Sequence, residues 1–424
     1  MSNIFNQPTI NGDIQIIINA KRERSQSPEL SDSSISSAEV KRSKKINYFL
    51  GGGKKEWKPK EEVIVENINI TKVFKRFRKQ SIAEVEKDND INCLRILSLS
   101  HIFPLNKFDV EKCVTRYFDS NTRKALKSIA CSTKPKVDRA PAKAVVYCKD
   151  KADEGDNDDD NDNDDSEEEG EGQEAMMGMI KDLVRYEKQH RACISNSSEA
   201  TFTEKYLASA IRRVLLKDVS EDLSYAMMDK PEKNGKKPDF MFGTKIKKRE
   251  VYFFFVEVKR PEITSKYQPE DDYTKLMKQM KGSVDDQLCL GSKNPTSLGL
   301  LVEGFKGTLF QMKLLADGIY MPMAFERFSL VEEIHQLVHL PGIVEALFFV
   351  KSELAKFIDE TLLSIDLTTS TALLVVSFAV VSFSAGLRIK KDFWLAMVSS
   401  TTLGSLISVN TPSIGSKTLS PSSL

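Results

Sequence analysis

The sequence is short of the residues and spacings that most often declare a function. Its six cysteines (Cys93, Cys113, Cys131, Cys148, Cys193 and Cys289) form no CxxC pair. That excludes the usual zinc-finger spacings and a secreted disulfide scaffold, and it fits a reducing compartment. Histidine is scarce, at four in 424 residues. His335 and His339 are spaced i, i+4, but Glu332 and Glu333 break the HExxH order, so the pair reads as surface histidines rather than as metal ligands. No P-loop, GxGxxG fingerprint or GxSxG elbow occurs, which disfavours nucleotide hydrolysis and triad chemistry. The opening MSNIFNQPTINGD has no basic start followed by an apolar run, so no secretory signal is expected and the protein is placed in the nucleus or cytoplasm. An excess of one charge is missing too: 62 Lys and Arg balance 61 Asp and Glu for a net +1.

That balance hides segregation. Basic clusters fall before residue 80, and an acidic run extends from Asp153 to Glu174. Residues 1–60 read as a disordered basic, Ser-rich tail, with Ser25-Gln26-Ser27-Pro28 as a phosphorylation context. Lys21-Arg22 and Lys41-Arg42-Ser43-Lys44-Lys45 have the form of a bipartite nuclear localisation signal, or of an ordinary solvated tail. Residues 61–150 read as a small helical module or partly ordered region, with two short helices between Ile91 and Phe118 broken at Pro104. The segment from Lys72 to Lys79 mixes cations with Phe74 and Phe77, and is read as an amphipathic surface helix in preference to a nucleic-acid face. Residues 151–175 form an acidic disordered linker suited to binding basic proteins. At the other end, residues 366–424 turn apolar and Ser/Thr-rich. Thr368 to Leu387 carries no charge over about the length that spans a bilayer, so a transmembrane anchor stands beside a loosely docked tail. The cations Arg388, Lys390 and Lys391 after that stretch oppose an orientation with the large domain in the cytosol.

The informative segment is 195–365. Phe202, Tyr206, Ala210 and Val214 recur every four residues and predict a helix from about Ser198 to Leu216, capped by Ser197 or Ser198. Projected on a wheel, Glu199 falls within the apolar face and Glu204 on the far side. Lys237 to Phe242 predicts a strand, Gly243-Thr244-Lys245 a turn, and Glu250 to Val258 a second strand whose Phe253-Phe254-Phe255-Val256 run requires cover on both faces. Folding this hairpin about residue 248 sets Asp239 beside Glu257, and period-two alternation puts Lys259 on the same face as Glu257. Two carboxylates and a lysine at one strand end make a site for a hard divalent cation, magnesium first and manganese second. A helix from about Glu270 to Leu290 follows, then strands near Ser297–Gly304, Thr308–Leu315 and Ile319–Leu330, and a closing helix from Pro341 to Leu363.

Pro238-Asp239 and then Glu257-Val258-Lys259, in this order of helix, hairpin, helix and further strands, resemble the PD-(D/E)XK nuclease superfamily over about 170 residues. The same residues resemble lineage-expanded fungal families and the nuclease-like domains of Crinkler-type effectors. The resemblance implies an α/β, restriction-endonuclease-like core of mixed sheet flanked by helices. It implies that Asp239 and Glu257 hold Mg2+ or Mn2+, that Glu199 completes the acidic cluster, and that Lys259 assists the attacking water. In several branches a glutamine on the second helix reaches the site. Gln287 is similar to that residue, and a core-edge amide is the other reading of it. The expected function is metal-dependent phosphodiester hydrolysis of DNA or RNA. The alternative is a non-catalytic interaction protein on the same fold, membrane-anchored through residues 368–387.

Overall fold

A strand whose two faces are both apolar must lie inside a sheet covered on both sides, and the Phe253–Val256 run is buried throughout. The computed structural model of the chain describes residues 57–59, 61–87, 92–153, 170–190, 198–217, 223–227, 237–246, 249–261 and 271–360. The basic clusters, the Ser25–Pro28 context, residues 154–169 of the acidic run and the apolar stretch 368–387 lie outside these. Among the described residues no helix is long and apolar enough to cross a membrane.

The elements run β1 (Ile64–Val65), β2 (Ile68–Asn69), α1 (Ile70–Glu86), α2 (Cys93–Leu99), β3 (Leu105–Asn106), α3 (Ser120–Thr133), α4 (Lys143–Asp153) and α5 (Glu171–His190). Next comes α6, which opens as Glu199–Thr203 and continues through π-wound Glu204–Ala208 and Ile211–Leu215. Then follow β4 (Leu223–Met227), β5 (Phe240–Ile246), β6 (Arg249–Lys259), α7 (Asp272–Cys289), β7 (Thr296–Glu303), β8 (Lys306–Ala316) and β9 (Ile319–Ser329). A closing helix, α8, covers residues 340–360. The chain is thus α/β, with a seven-stranded mixed sheet in the order β3-β9-β8-β7-β6-β5-β4. Two strand pairs are parallel: β6 with β7, joined through α7, and β3 with β9.

One face of the sheet packs on α5, α6 and α8 through residues such as Phe202, Val214, Phe254, Val256, Leu347 and Val350. The other face packs on α7 through Leu276, Met277, Met280 and Val284, against Phe255, Leu301 and Phe310. Burying a Phe or Leu of this kind contributes about 2 kcal/mol, and both faces are lined with them. The stripe of α7 ends sooner than its periodicity predicts, because Leu288 is exposed.

Three expectations change. The first concerns residues 61–150, which do not stand apart as a module. Ile70, Phe74 and Phe77 of α1 and Leu126 of α3 share a core with Ile319, Met321 and Met323 of β9, so the folded unit starts well before residue 195. Within it the exposed Lys72, Lys75, Arg76 and Lys79 form the solvent side of an amphipathic helix. The second concerns the helix expected after Pro104, which is reduced to a four-residue 3-10 turn, Val114–Tyr117. Leu105-Asn106 instead pairs with Met323 and Ala324 as the sheet's last strand.

The third concerns Gly243-Thr244-Lys245, which is strand rather than turn. Pairing from Ile246–Arg249 to Gly243–Tyr252 follows one register, then shifts by one residue at Phe242–Phe254, leaving Phe253 as the extra residue of a β-bulge. A Cβ on Gly243 would lie 2.1 Å from the Val251 carbonyl oxygen, so the backbones approach too closely there for any other residue. The bulge turns Phe253 and Phe254 toward the same core. It also aligns Phe240 with Val256, which places Asp239 opposite Glu257. Bulges commonly re-aim a side chain in this way.

Candidate active site

Each charged residue at this end of the hairpin is placed by a local cause. Ser198 caps α6, its side chain accepting from Thr201 N, and so fixes Glu199 in the first turn. Asp239 precedes β5, and its Oδ2 accepts from Val258 N at 2.6 Å. That bond ties the aspartate to the strand carrying Glu257 and Lys259. Asp271 caps α7 and accepts from Thr274 N at 2.8 Å, setting Asp272, Lys275 and Gln279 along the side of the helix that faces β6.

Glu257 is the centre of the group. Its side chain is 1% exposed, and Oε2 accepts from Lys275 Nζ at 2.6 Å. The other oxygen, Oε1, has no hydrogen-bond partner, nor has either atom of the Gln279 amide. Gln279 is close enough to favour the carboxylate, yet it forms no bond of regular geometry. Burial pushes the Glu257 carboxyl up to about 8; the Lys275 ammonium opposes this, and the Asp239 charge adds to it. Desolvation therefore outweighs the ion pair, as happens when a carboxylate is taken out of water. Glu199 is also raised, first by burial, then by Asp239 and Asp272, while Lys259 and Lys275 pull it down. Lys259 Nζ lies 3.4 Å from Asp272 Oδ2.

Four of the five residues singled out in the sequence, Glu199, Asp239, Glu257 and Lys259, therefore share one electrostatic cluster. Gln287 does not join it. Its Nε2 donates to Ser283 Oγ at 3.1 Å and Thr296 O at 2.6 Å, and its Oε1 accepts from Thr296 N at 2.9 Å. It lies eight residues, about 12 Å of helix, beyond Gln279 and is the core-edge amide, spent on anchoring the start of β7. Sequence reading missed Lys275 and Gln279. Their signal was available, since Asp272, Lys275 and Gln279 fall at i, i+3 and i+7, a polar stripe beside the buried stripe of the same helix. His335 and His339 occupy a 3-10 turn, Ile334–His339, and His335 pairs with Glu333 in solvent.

The donor chemistry fits a hard cation, because two orphaned buried oxygens, Glu257 Oε1 and Gln279 Oε1, are the atoms such an ion takes. The carboxylates are not gathered around a common point, however. Among the described residues no three of His, Cys, Asp and Glu converge closely enough to hold a metal ion. Lys275 supplies the positive charge that the buried Glu257 requires. The sequence matches no protein-family model and no curated protein.

Proposed function

We propose that the chain is a metal-dependent phosphodiester hydrolase built on a PD-(D/E)XK-like core. The observation that carries this reading is Glu257, a buried carboxylate with one unsatisfied oxygen, set opposite Asp239 and two residues before a lysine on the same face. The succession of α6, the β5–β6 hairpin, α7 and β7 supports it, since that is the element order of the superfamily the motif resembles. Buried groups left unsatisfied and carboxyls shifted by desolvation gather at functional sites more often than elsewhere.

Glu257, Asp239 and Glu199 would hold magnesium or manganese, with Gln279 beside them. Such an ion neutralises charge developing on a phosphodiester oxygen and acidifies water. Lys259 orients the attacking water and takes or shares its proton. Asp272, at 3.4 Å, positions the Lys259 ammonium. Lys275 compensates Glu257 and retains enough exposure to swing toward solvent.

A second reading rests on the same ion pair. If Lys275 permanently satisfies Glu257, the core is a binding scaffold without turnover, consistent with the ungathered carboxylates. The deciding experiment incubates the full chain with magnesium or manganese and with single-stranded DNA, duplex DNA or RNA, beside Lys259→Ala. Cleavage that falls about 100-fold or more in the variant supports the hydrolase. A folded chain that cleaves nothing, with a melting temperature indifferent to either metal, overturns it in favour of the scaffold.

A further inference from the structure

Strand register extends the candidate site sideways along one face of the sheet. Glu257 pairs with Leu301, Leu301 with Thr308, and Thr308 with Arg327, a single row across β6, β7, β8 and β9. One step toward the sheet's end, the parallel row reads Lys259, Glu303, Lys306 and Ser329. Side chains two apart on a strand share a face, so Lys306 and Arg327 point to the same side as Glu257 and Lys259. Three strand spacings of about 4.8 Å put Arg327 about 14 Å from Glu257 along the row.

Away from Glu257 and Lys259 the strip adds two cations, Lys306 and Arg327. Neither Lys306 nor Arg327 makes an ion pair with a carboxylate among the described residues. Glu303, the acid in the outer row, is covered by Lys112, whose Nζ lies 2.5 Å from its Oε1. The strip ends on an aromatic ring: Arg327 donates to the Phe108 carbonyl at 3.2 Å and its guanidinium lies 5.9 Å from the Phe108 ring centroid. Lys107 Nζ lies 4.6 Å from the same centroid. Parallel β3 and β9 bring this loop to the same end of the sheet as Lys259.

We propose that this strip binds the backbone of a single-stranded nucleic acid leading away from the cleavage site. Phosphates sit on Lys306 and Arg327, and an unpaired base rests on Phe108. Cations on neighbouring strands, unpaired among the described residues, match a polyanion, and a ring flanked by cations is a stacking platform available only to a base outside a duplex. The proposal deepens the hydrolase reading and rests on it for its class of ligand.

The test measures binding of a labelled single-stranded DNA to the full chain by fluorescence anisotropy in EDTA, over a range of salt, with cleavage assayed separately. The double variant Lys306→Ala/Arg327→Ala is expected to bind about tenfold or more weakly. Its salt slope should be shallower by about 1.4, since each phosphate contact on a single strand contributes about 0.7. Phe108→Ala is expected to lose about tenfold with the slope unchanged. Lys306→Arg/Arg327→Lys keeps the charges and should retain binding, which separates lost contacts from a disturbed fold. Unchanged affinity and slope in the double variant overturn the strip, even where the chain cleaves. Preference for duplex, with Phe108→Ala silent, overturns the single-strand assignment. Lost binding in a chain that cleaves nothing leaves the strip standing while the hydrolase reading falls.

Discussion

Gln279 and Gln287 stand two turns apart on α7 and both are closed off from solvent, yet their amides fare differently. Gln287 makes three hydrogen bonds and joins the end of the helix to the start of β7. Gln279 makes none of regular geometry and faces a carboxylate in the same condition. A buried amide that meets its needs inside the fold belongs to the architecture. One that does not costs about 1–3 kcal/mol, and such a cost at a strand end lined with carboxylates points to a ligand. The C-terminal half of α7 thus serves stability, and its N-terminal half carries the residues of the proposed site.

The largest expected effect breaks the architectural side. Gln287→Ala strips partners from Thr296 N and Thr296 O in a buried setting and should lower stability by about 3 kcal/mol, read as a drop in the urea midpoint. Metal-dependent cleavage per folded molecule should not change. A variant that keeps its midpoint but loses cleavage would return Gln287 to the site.

The next effect is a pH dependence. The Glu257 carboxyl has an ordinary value of 4.5 and is pushed up to about 8 in the fold, chiefly by burial. Between those values the folded chain holds a proton that the unfolded chain releases. Stability from this group is therefore fully present below pH 4.5 and is lost as pH rises through 8. Glu257→Gln removes the titration. Its unfolding free energy should cross above that of the parent as pH rises and exceed it by about 2 kcal/mol at pH 9. A parent whose stability rises over that window, measured against the variant, would mean that Lys275 and not burial governs the carboxyl.

Much of this site was legible in the sequence because hairpin pairing and strand alternation are simple arithmetic. Asp239, Glu257 and Lys259 follow from a fold point near residue 248 and a period of two. The way the molecule reaches that pairing was hidden. The strand pairing is centred half a residue earlier, as the Ile246–Arg249 pair shows, and the bulge at Phe253 restores the offset. With Phe253, Phe254 and Phe255 all apolar, no break in the pattern marks the extra residue. Gly243 read as a turn because glycine signals both turns and close backbone approach. The two residues of β3 are too few to carry any periodicity. Choosing between two glutamines on one helix needed a third element: Thr296 lies beside one and Glu257 beside the other.

The smallest expected effect on stability tests the chemical side most directly. Gln279→Leu replaces a buried amide with an apolar side chain of similar volume. An amide with two unsatisfied atoms contributes little or nothing to folding, and its removal can be neutral or stabilising. The change in unfolding free energy should therefore stay within about 1 kcal/mol. Leu offers no oxygen donor, so the manganese-induced rise in melting temperature should shrink, and cleavage should fall by about tenfold or more. Gln279→Glu restores an oxygen donor and should recover the metal response in part. Loss of several kcal/mol on Gln279→Leu would show that the amide is satisfied in solution, which removes the contrast with Gln287 and the strongest physical reason for placing a ligand beside Glu257.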